Sequence, residues 1–228
     1  MKKLTTILAG IALAVSANAD TLTFTDSFGL APTNWTHLLG AGQFNNSLGT
    51  LNSATFTFIY DISQRSKAEN TGAAADTLTP IAGAQMLFRK SLATLLTTTL
   101  TNTGPSFNAT AFDGTSDFAG TSGIDFGDLT ANDTGTITLT GGALAALIGT
   151  STLGSAGFDV RATGNGSIAS DNGSLNASIT TQARYNLLLV YDFTPNTPNS
   201  VPEPGSMALF GVALAGLAVL RRKANKAA

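Results

Sequence analysis

The chain has no cysteine and a single histidine, His37. Without cysteine there is no disulfide, no thiolate metal site and no cysteine nucleophile. One histidine is too few for a histidine-based zinc centre, which takes three or four protein ligands. A serine triad could draw on His37 and the plentiful Ser and Asp, but no G-x-S-x-G elbow is present. His37 lies beside Trp35 and Leu38 and reads as a strand or edge residue. Charged residues are also scarce, at 11% of the chain. No apolar run reaches the roughly 20 residues of a comfortable membrane span.

Two shorter apolar runs lie at the ends. Met1-Lys2-Lys3 precedes an apolar stretch from Leu4 to Val15, then Ser16-Ala17-Asn18-Ala19. A basic start, a short apolar core and small residues at Ala17 and Ala19 are the parts of a cleavable secretion signal. Residues 1–19 are therefore read as a signal helix, and Asp20 as the mature start. At the other end Pro202-Glu203-Pro204-Gly205-Ser206 leads into an apolar run from Met207 to Leu220, closed by Arg221-Arg222-Lys223. The prolines hold the approach extended. Fourteen helical residues rise about 21 Å, short of a hydrocarbon core of about 30 Å unless the flanking arginines snorkel. The reading is a short transmembrane helix over 207–220, with its basic stop on the cytoplasmic side.

Pro202-Glu203-Pro204, a short apolar helix and an Arg-rich end, in that order, resemble the PEP-CTERM sorting signal. The resemblance implies that the secretion machinery exports the chain and that an exosortase processes the tail near the prolines. It also implies a Gram-negative host that makes exopolysaccharide. The membrane contact through the tail would then be transient, an inner-membrane tether before the protein reaches the cell surface or extracellular matrix.

Removing both ends leaves one domain's worth of chain. Its basic side chains are Arg65, Lys67, Arg89, Lys90, Arg161 and Arg184, six against fourteen acidic ones, for a net charge of about −8. The overall net charge of −2 hides this because both ends are basic. An acidic domain without a basic stripe argues against nucleic acid as a partner.

Thr, Ser, Asn and Gly dominate the middle, which suits strands broken by turns. Alternation marks Thr21–Thr25, Ala54–Ile62 and Thr134–Thr140 as strands, with Phe56, Phe58 and Tyr60 on one face. Trp35–Leu39, Gln85–Phe88, Ser91–Leu100, Phe158–Thr163 and Leu175–Thr181 are further candidates. Arg184–Phe193 is nearly all apolar and reads as a strand buried on both faces. Gly142–Ile148 is the one helix candidate. Turn clusters at Asn70-Thr71-Gly72, Gly164-Asn165-Gly166 and Asp171-Asn172-Gly173 separate the strands. The expectation is an all-β, antiparallel, jelly-roll-like sandwich over 20–194 with one short helix, then a linker at 195–201 and the sorting segment at 202–228.

Phe44–Leu51, Ala68-Glu69-Asn70, Asp117–Gly123, Leu144–Gly149 and the strand through Tyr191 resemble the choice-of-anchor E domain. That group pairs one extracellular domain with different anchoring tails. The resemblance implies no catalytic residues.

Chemistry is thin. Asp113, Asp117, Asp125, Asp128 and Asp133 offer hard oxygen ligands to Ca²⁺ from a stretch read as loops. The D-x-[DN]-x-[DN]-G pattern is absent, and Asp-Gly spacings are equally turn chemistry, which is the favoured reading. No cofactor is expected. A glycosidase needs two carboxylates across a cleft, and Glu69 with any Asp could only be proposed. A glycan-binding module would use Trp35, Tyr60, Tyr185 or Tyr191 as platforms. Sequons at Asn34, Asn45, Asn108, Asn132, Asn165, Asn172 and Asn176 arise readily by chance in such a composition. The favoured expectation is a non-enzymatic surface or matrix protein, structural or adhesive in exopolysaccharide. A glycan-binding module is the alternative, and a secreted hydrolase ranks third.

Overall fold

Period-two alternation of Thr with Phe, Leu and Ile can satisfy the backbone only in sheets, and two sheets are what the computed structural model contains. It describes residues 19–196, 209 and 211–214. The strands are β1 (Asp20–Pro32), β2 (Trp35–Leu38), β3 (Gly49–Asn70), β4 (Asp76–Lys90), β5 (Ala93–Thr103), β6 (Phe107–Ala109), β7 (Gly123–Thr140), β8 (Phe158–Gly164), β9 (Ser167–Ser170) and β10 (Leu175–Pro195). One sheet has the order β1-β10-β3-β7. The other runs β2-β8-β4-β5, with β6 and β9 also paired to β4. If β5 with β6 and β8 with β9 count as single interrupted strands, each sheet interleaves early and late strands as a jelly roll does.

Burial alternates along β3, where Ala54, Phe56, Phe58, Tyr60 and Ile62 point inward. Phe56 and Phe58 meet Phe88 of the facing sheet with ring centroids at 4.8 and 5.0 Å, and Tyr185 packs edge-on against Phe58. Such aromatic contacts contribute about 0.5–1.5 kcal/mol each beyond the area they bury. Leu187, Leu189, Tyr191 and Phe193 of β10 complete the core with Val160 and Phe158 of β8.

Several expectations change here. β10 is not buried on both faces: Tyr185, Leu187, Leu189 and Tyr191 face the core, while Leu188 lies 44% exposed on the outer face. The one short helix expected at Gly142–Ile148 is present, starting and ending one residue earlier, as the 3-10 segment Gly141–Leu147, which buries Leu144 and Leu147. Gly141 has φ of +59°, and Ile148 is already extended. Asp125, Asp128 and Asp133 stand in β7 rather than in loops. Ser91 is not strand: Ser91 and Leu92 form the two-residue turn between β4 and β5.

The chain divides into two units, Ala19–Thr194 and the two ends. Of the ends, Leu209 and residues 211–214 are helical, with Leu209, Val212 and Leu214 exposed. Most of the transmembrane segment read at 207–220, and most of the signal helix at 1–19, lies outside the described residues. No helix among the described residues is long and apolar enough to cross a membrane.

Candidate functional site

The residues singled out for calcium are not brought together. Asp113 Oδ1 accepts from the Thr115 amide, and Asp117 Oδ1 from the Ala119 amide, each closing its own turn. Asp125 spends Oδ1 on the Gly127 amide and Oδ2 on Arg65 and Lys67 at 2.7 and 3.3 Å. The hydrogen bond from Arg65 and that from the Gly127 amide hold its carboxyl down at about 2. Asp128 faces Arg65 across the β3–β7 ladder. Among the described residues no three His, Asp or Glu side chains converge as a metal site would require.

Glu69, the carboxylate considered for hydrolysis, is completely buried. It accepts from the Phe118 amide at 2.7 Å and from Ser122 Oγ at 2.6 Å. Its neighbour Asn70 donates to the carbonyls of Ala74 and Thr110 and accepts from the Gly72 amide. The Ala-Glu-Asn segment thus ties two loops to the end of β3, which is structural work.

A shallow cavity of about 250 Å³ opens nearby, lined by Ala75, Asp76, Thr77, Asn108, Ala109 and Asp171. Asp76 anchors the β9–β10 turn, accepting from Ser170 Oγ and from the Asp171 and Asn172 amides. Burial would raise its pKa, but these bonds and one from the Thr77 amide outweigh it and hold the carboxyl below its usual range. Both oxygens are committed.

His37 stands on β2 and Tyr185 on β10, so their contact joins the two sheets. His37 Nδ1 lies 2.9 Å from the Tyr185 hydroxyl, which donates to Asp26 Oδ2 at 3.0 Å; Asp26 also accepts from the Gly40 amide. The Tyr185 proton is committed to Asp26, so the Nδ1 bond requires a proton on His37 Nδ1. No serine joins this chain of bonds. Tyr60, Tyr185 and Tyr191 are fully buried, and half-buried Trp35 packs on Phe28 and near Tyr185. None of the three tyrosines is a sugar platform.

What the surface does offer is hydroxyl groups. On the outer face of the first sheet, Thr55 pairs with Thr138 and Thr57 with Thr136 across β3 and β7, their Oγ1 atoms 2.9 and 3.4 Å apart. Thr134 extends the row beside Ile59. Thr21, Thr23 and Thr25 stand exposed on β1 opposite Asp192, Val190 and Leu188. One end of the face is therefore hydroxyl-rich, with the Asp192 carboxylate opposite Thr21 accepting from Asn52 Nδ2 at 3.2 Å. The other carries ion pairs, Arg184 with Asp61 and Arg65 with Asp125. The repeats Thr21-x-Thr23-x-Thr25, Thr55-x-Thr57 and Thr134-x-Thr136-x-Thr138 were the available signal, since residues two apart on a strand share a face. Sequence could not show that three separate repeats meet on one sheet.

Of the processing residues, Ala19 is described and lies exposed immediately before β1. Ala17, Pro202, Glu203, Pro204, Arg221, Arg222 and Lys223 lie outside the described residues.

Comparison with known proteins locates the informative match in the tail. Residues 200–223 match the family model described as the PEP-CTERM protein-sorting motif. No curated protein matches the chain. Among solved structures, that of the infectious bursal disease virus Gx strain is similar at 12% identity and a TM-score of 0.19, over 93% of this chain and 55% of that one. The VP2 subviral particle of infectious bursal disease virus is similar at 12% identity and a TM-score of 0.13, over 91% and 54%. The chain spans about half the length of these viral structures, and scores this low bear on neither fold nor function. The sorting motif, following an antiparallel two-sheet domain, makes this chain an exported cell-surface protein that carries a PEP-CTERM signal for exosortase processing.

Proposed function

We propose that the domain is a non-catalytic structural or adhesive element of the cell surface or its exopolysaccharide matrix, of the choice-of-anchor E kind. The observation that carries this reading is the hydroxyl-lined outer face formed by Thr21, Thr23 and Thr25 with Thr55, Thr57, Thr134, Thr136 and Thr138. Exposed hydroxyls both donate and accept, so they exchange hydrogen bonds with water for hydrogen bonds with sugar hydroxyls at little net cost. Many weak contacts over a broad face suit retention in a polymer, where binding of one segment raises the effective concentration of the next.

A discrete glycan-binding module is the second reading. It has only Trp35 to offer as a partly accessible platform, because the tyrosines serve the core.

The test is retention of the processed protein on exopolysaccharide from its own host, against a variant with Thr57 and Thr136 both replaced by Asp. Retention on long polymer, lost in the variant and absent on short oligosaccharides, is the expected result. Saturable one-to-one binding of a short oligosaccharide, abolished by Trp35→Ala and indifferent to the threonines, would replace this reading with the second. Release of reducing ends from the polymer would overturn both.

A further inference from the structure

The first sheet ends on β1, and among the described residues no strand pairs with that edge. Its inner side pairs with β10 from Asp20 to Phe28, where the register breaks before resuming at Ala31. Along that stretch no loop or side chain among the described residues hydrogen-bonds the backbone on the outer side. Exposed strand edges invite pairing, and folded proteins guard them with charge, proline, bulges or brevity. The other edges here are guarded. On β7, Asn102 Nδ2 covers the Thr130 carbonyl at 2.7 Å, and Gly127, with φ of +72°, sits at a register shift. β2 is only four residues long. β5 runs beside β7, with Leu96 and Thr98 side chains against Gly135 and Asn102 on the Thr130 carbonyl. From Thr21 to Phe28, β1 has no proline and one charge, Asp26, which is turned onto Tyr185 and the Gly40 amide.

We propose that this edge is a self-association surface, on which β1 of a second copy of the chain pairs antiparallel across a two-fold axis at Thr23. The occupant is read from the strand itself. Thr21-Leu22-Thr23-Phe24-Thr25 has the same polar–apolar pattern in both directions. With Thr23 on the axis, Thr23 meets the partner's Thr23, Thr21 meets the partner's Thr25, and Leu22 meets the partner's Phe24. Such pairs are favourable across an antiparallel ladder, and an isologous contact requires this self-complementarity. Leu22 and Phe24 are only half-buried and would gain cover. Within Thr21–Thr25 no like charges oppose each other; one step beyond, Asp20 would face the partner's Asp26, whose carboxylate is turned onto Tyr185 and the Gly40 amide. Two four-stranded sheets would join into one of eight strands. The pairing is independent of what the hydroxyl face binds, so either proposal can fail alone.

The absence of cysteine supplies the test. In the full chain exported by its own host, Thr23→Cys introduces the only thiol. Directly opposed antiparallel residues lie about 4.5–5.5 Å apart at Cα, within reach of a disulfide. A disulfide-linked dimer on a non-reducing gel, with the linked peptides identified by mass spectrometry, is expected. Thr136→Cys, exposed on β7 of the same sheet, should stay monomeric. Adding Thr21→Lys and Thr25→Lys to the Thr23→Cys chain sets lysine against lysine on the exposed face and should lower cross-linking at least tenfold. Monomer alone for Thr23→Cys, equal cross-linking at both positions, insensitivity to the lysines, or a cross-link to a different protein would each overturn the proposal.

Discussion

At the scale of single residues, two sets of buried polar groups make measurable predictions, and two buried polar atoms, Trp35 Nε1 and the Tyr60 hydroxyl, have no hydrogen-bond partner among the described residues. Tyr60, Tyr185 and Tyr191 are all the tyrosines the chain has. Burial raises the pKa of each, and at Tyr185 the nearby Asp26 carboxylate raises it further. The native protein should therefore show no tyrosinate absorbance as pH passes 10, the value of a free tyrosine. The folded pKa lies above the unfolded one, so this contribution to stability is complete below pH 10 and falls as pH climbs from there toward the folded values. Absorbance near 295 nm should rise in one step with loss of circular dichroism; gradual ionisation of a folded protein would contradict the burial. The second set is Arg89 and Asp159. They meet at 2.7 Å with side chains about 10% and 9% exposed, joining β4 to β8. Arg89→Met strands a buried carboxylate and should cost about 3–5 kcal/mol in urea unfolding, whereas Arg89→Met with Asp159→Leu should recover most of it. Equal losses in the single and double variants would show that packing, not charge, governs the site.

At the scale of elements, most strands were legible and their limits were not. Thr21–Thr25, Ala54–Ile62 and Thr134–Thr140 alternate cleanly because one face meets the core and the other water. Each is only the clearest part of a longer strand: β3 and β7 continue through Arg65, Lys67, Asp125 and Asp128, where charged outer faces obscure the pattern. β10 misled for the opposite reason. Leu188 and Val190 sit on the outer face although both are apolar, so composition reported two buried faces where geometry has one. The candidate metal residues failed because aspartates near in sequence were divided between turns and a strand. The β4–β5 hairpin was placed two residues off because its turn lacks the usual signal. Ser91 and Leu92 close it with φ of +48° and +72°, conformations that two-residue hairpins normally give to Asn-Gly. Leu92 is also 77% exposed. A non-glycine residue in this region costs about 1–2 kcal/mol. Replacing Ser91-Leu92 by Asn-Gly should stabilise the domain by about 1 kcal/mol and raise Tm by about 2–4 °C. An unchanged or lowered Tm would mean that Leu92 or the Ser91 hydroxyl makes a compensating contact.

At the scale of the whole molecule, the register brings the start of the first strand to the end of the last. Asp20, which follows the predicted signal cut, pairs with Phe193, two residues before β10 stops at Pro195. β10 lies between β1 and β3, and the first sheet cannot close until residues 175–195 have left the membrane. Six residues, 196–201, then separate the strand's end from Pro202. A fully extended chain of that length spans about 20 Å. A processing enzyme must take its substrate chain in an accessible, extended form, and Pro202 and Pro204 lack the amide protons that a helix or ladder would use. At the other end, Ala19 lies exposed directly before the first ladder pair, so a cut after it would leave the ladder intact. Two cuts that flank an intact Asp20–Pro195 core are thus the expected history of the mature protein. Intact-mass measurement on protein from the native host should give a species that begins at Asp20 and lacks Met207–Ala228, with its new C-terminus close to Pro202-Glu203-Pro204. Substitution of Glu203 and both prolines by alanine should leave a heavier form that retains the tail and stays with the membrane fraction. A mature mass that includes the tail would show that the motif anchors the protein without being processed, and one that includes Met1–Ala19 would show that the N-terminal signal is not removed.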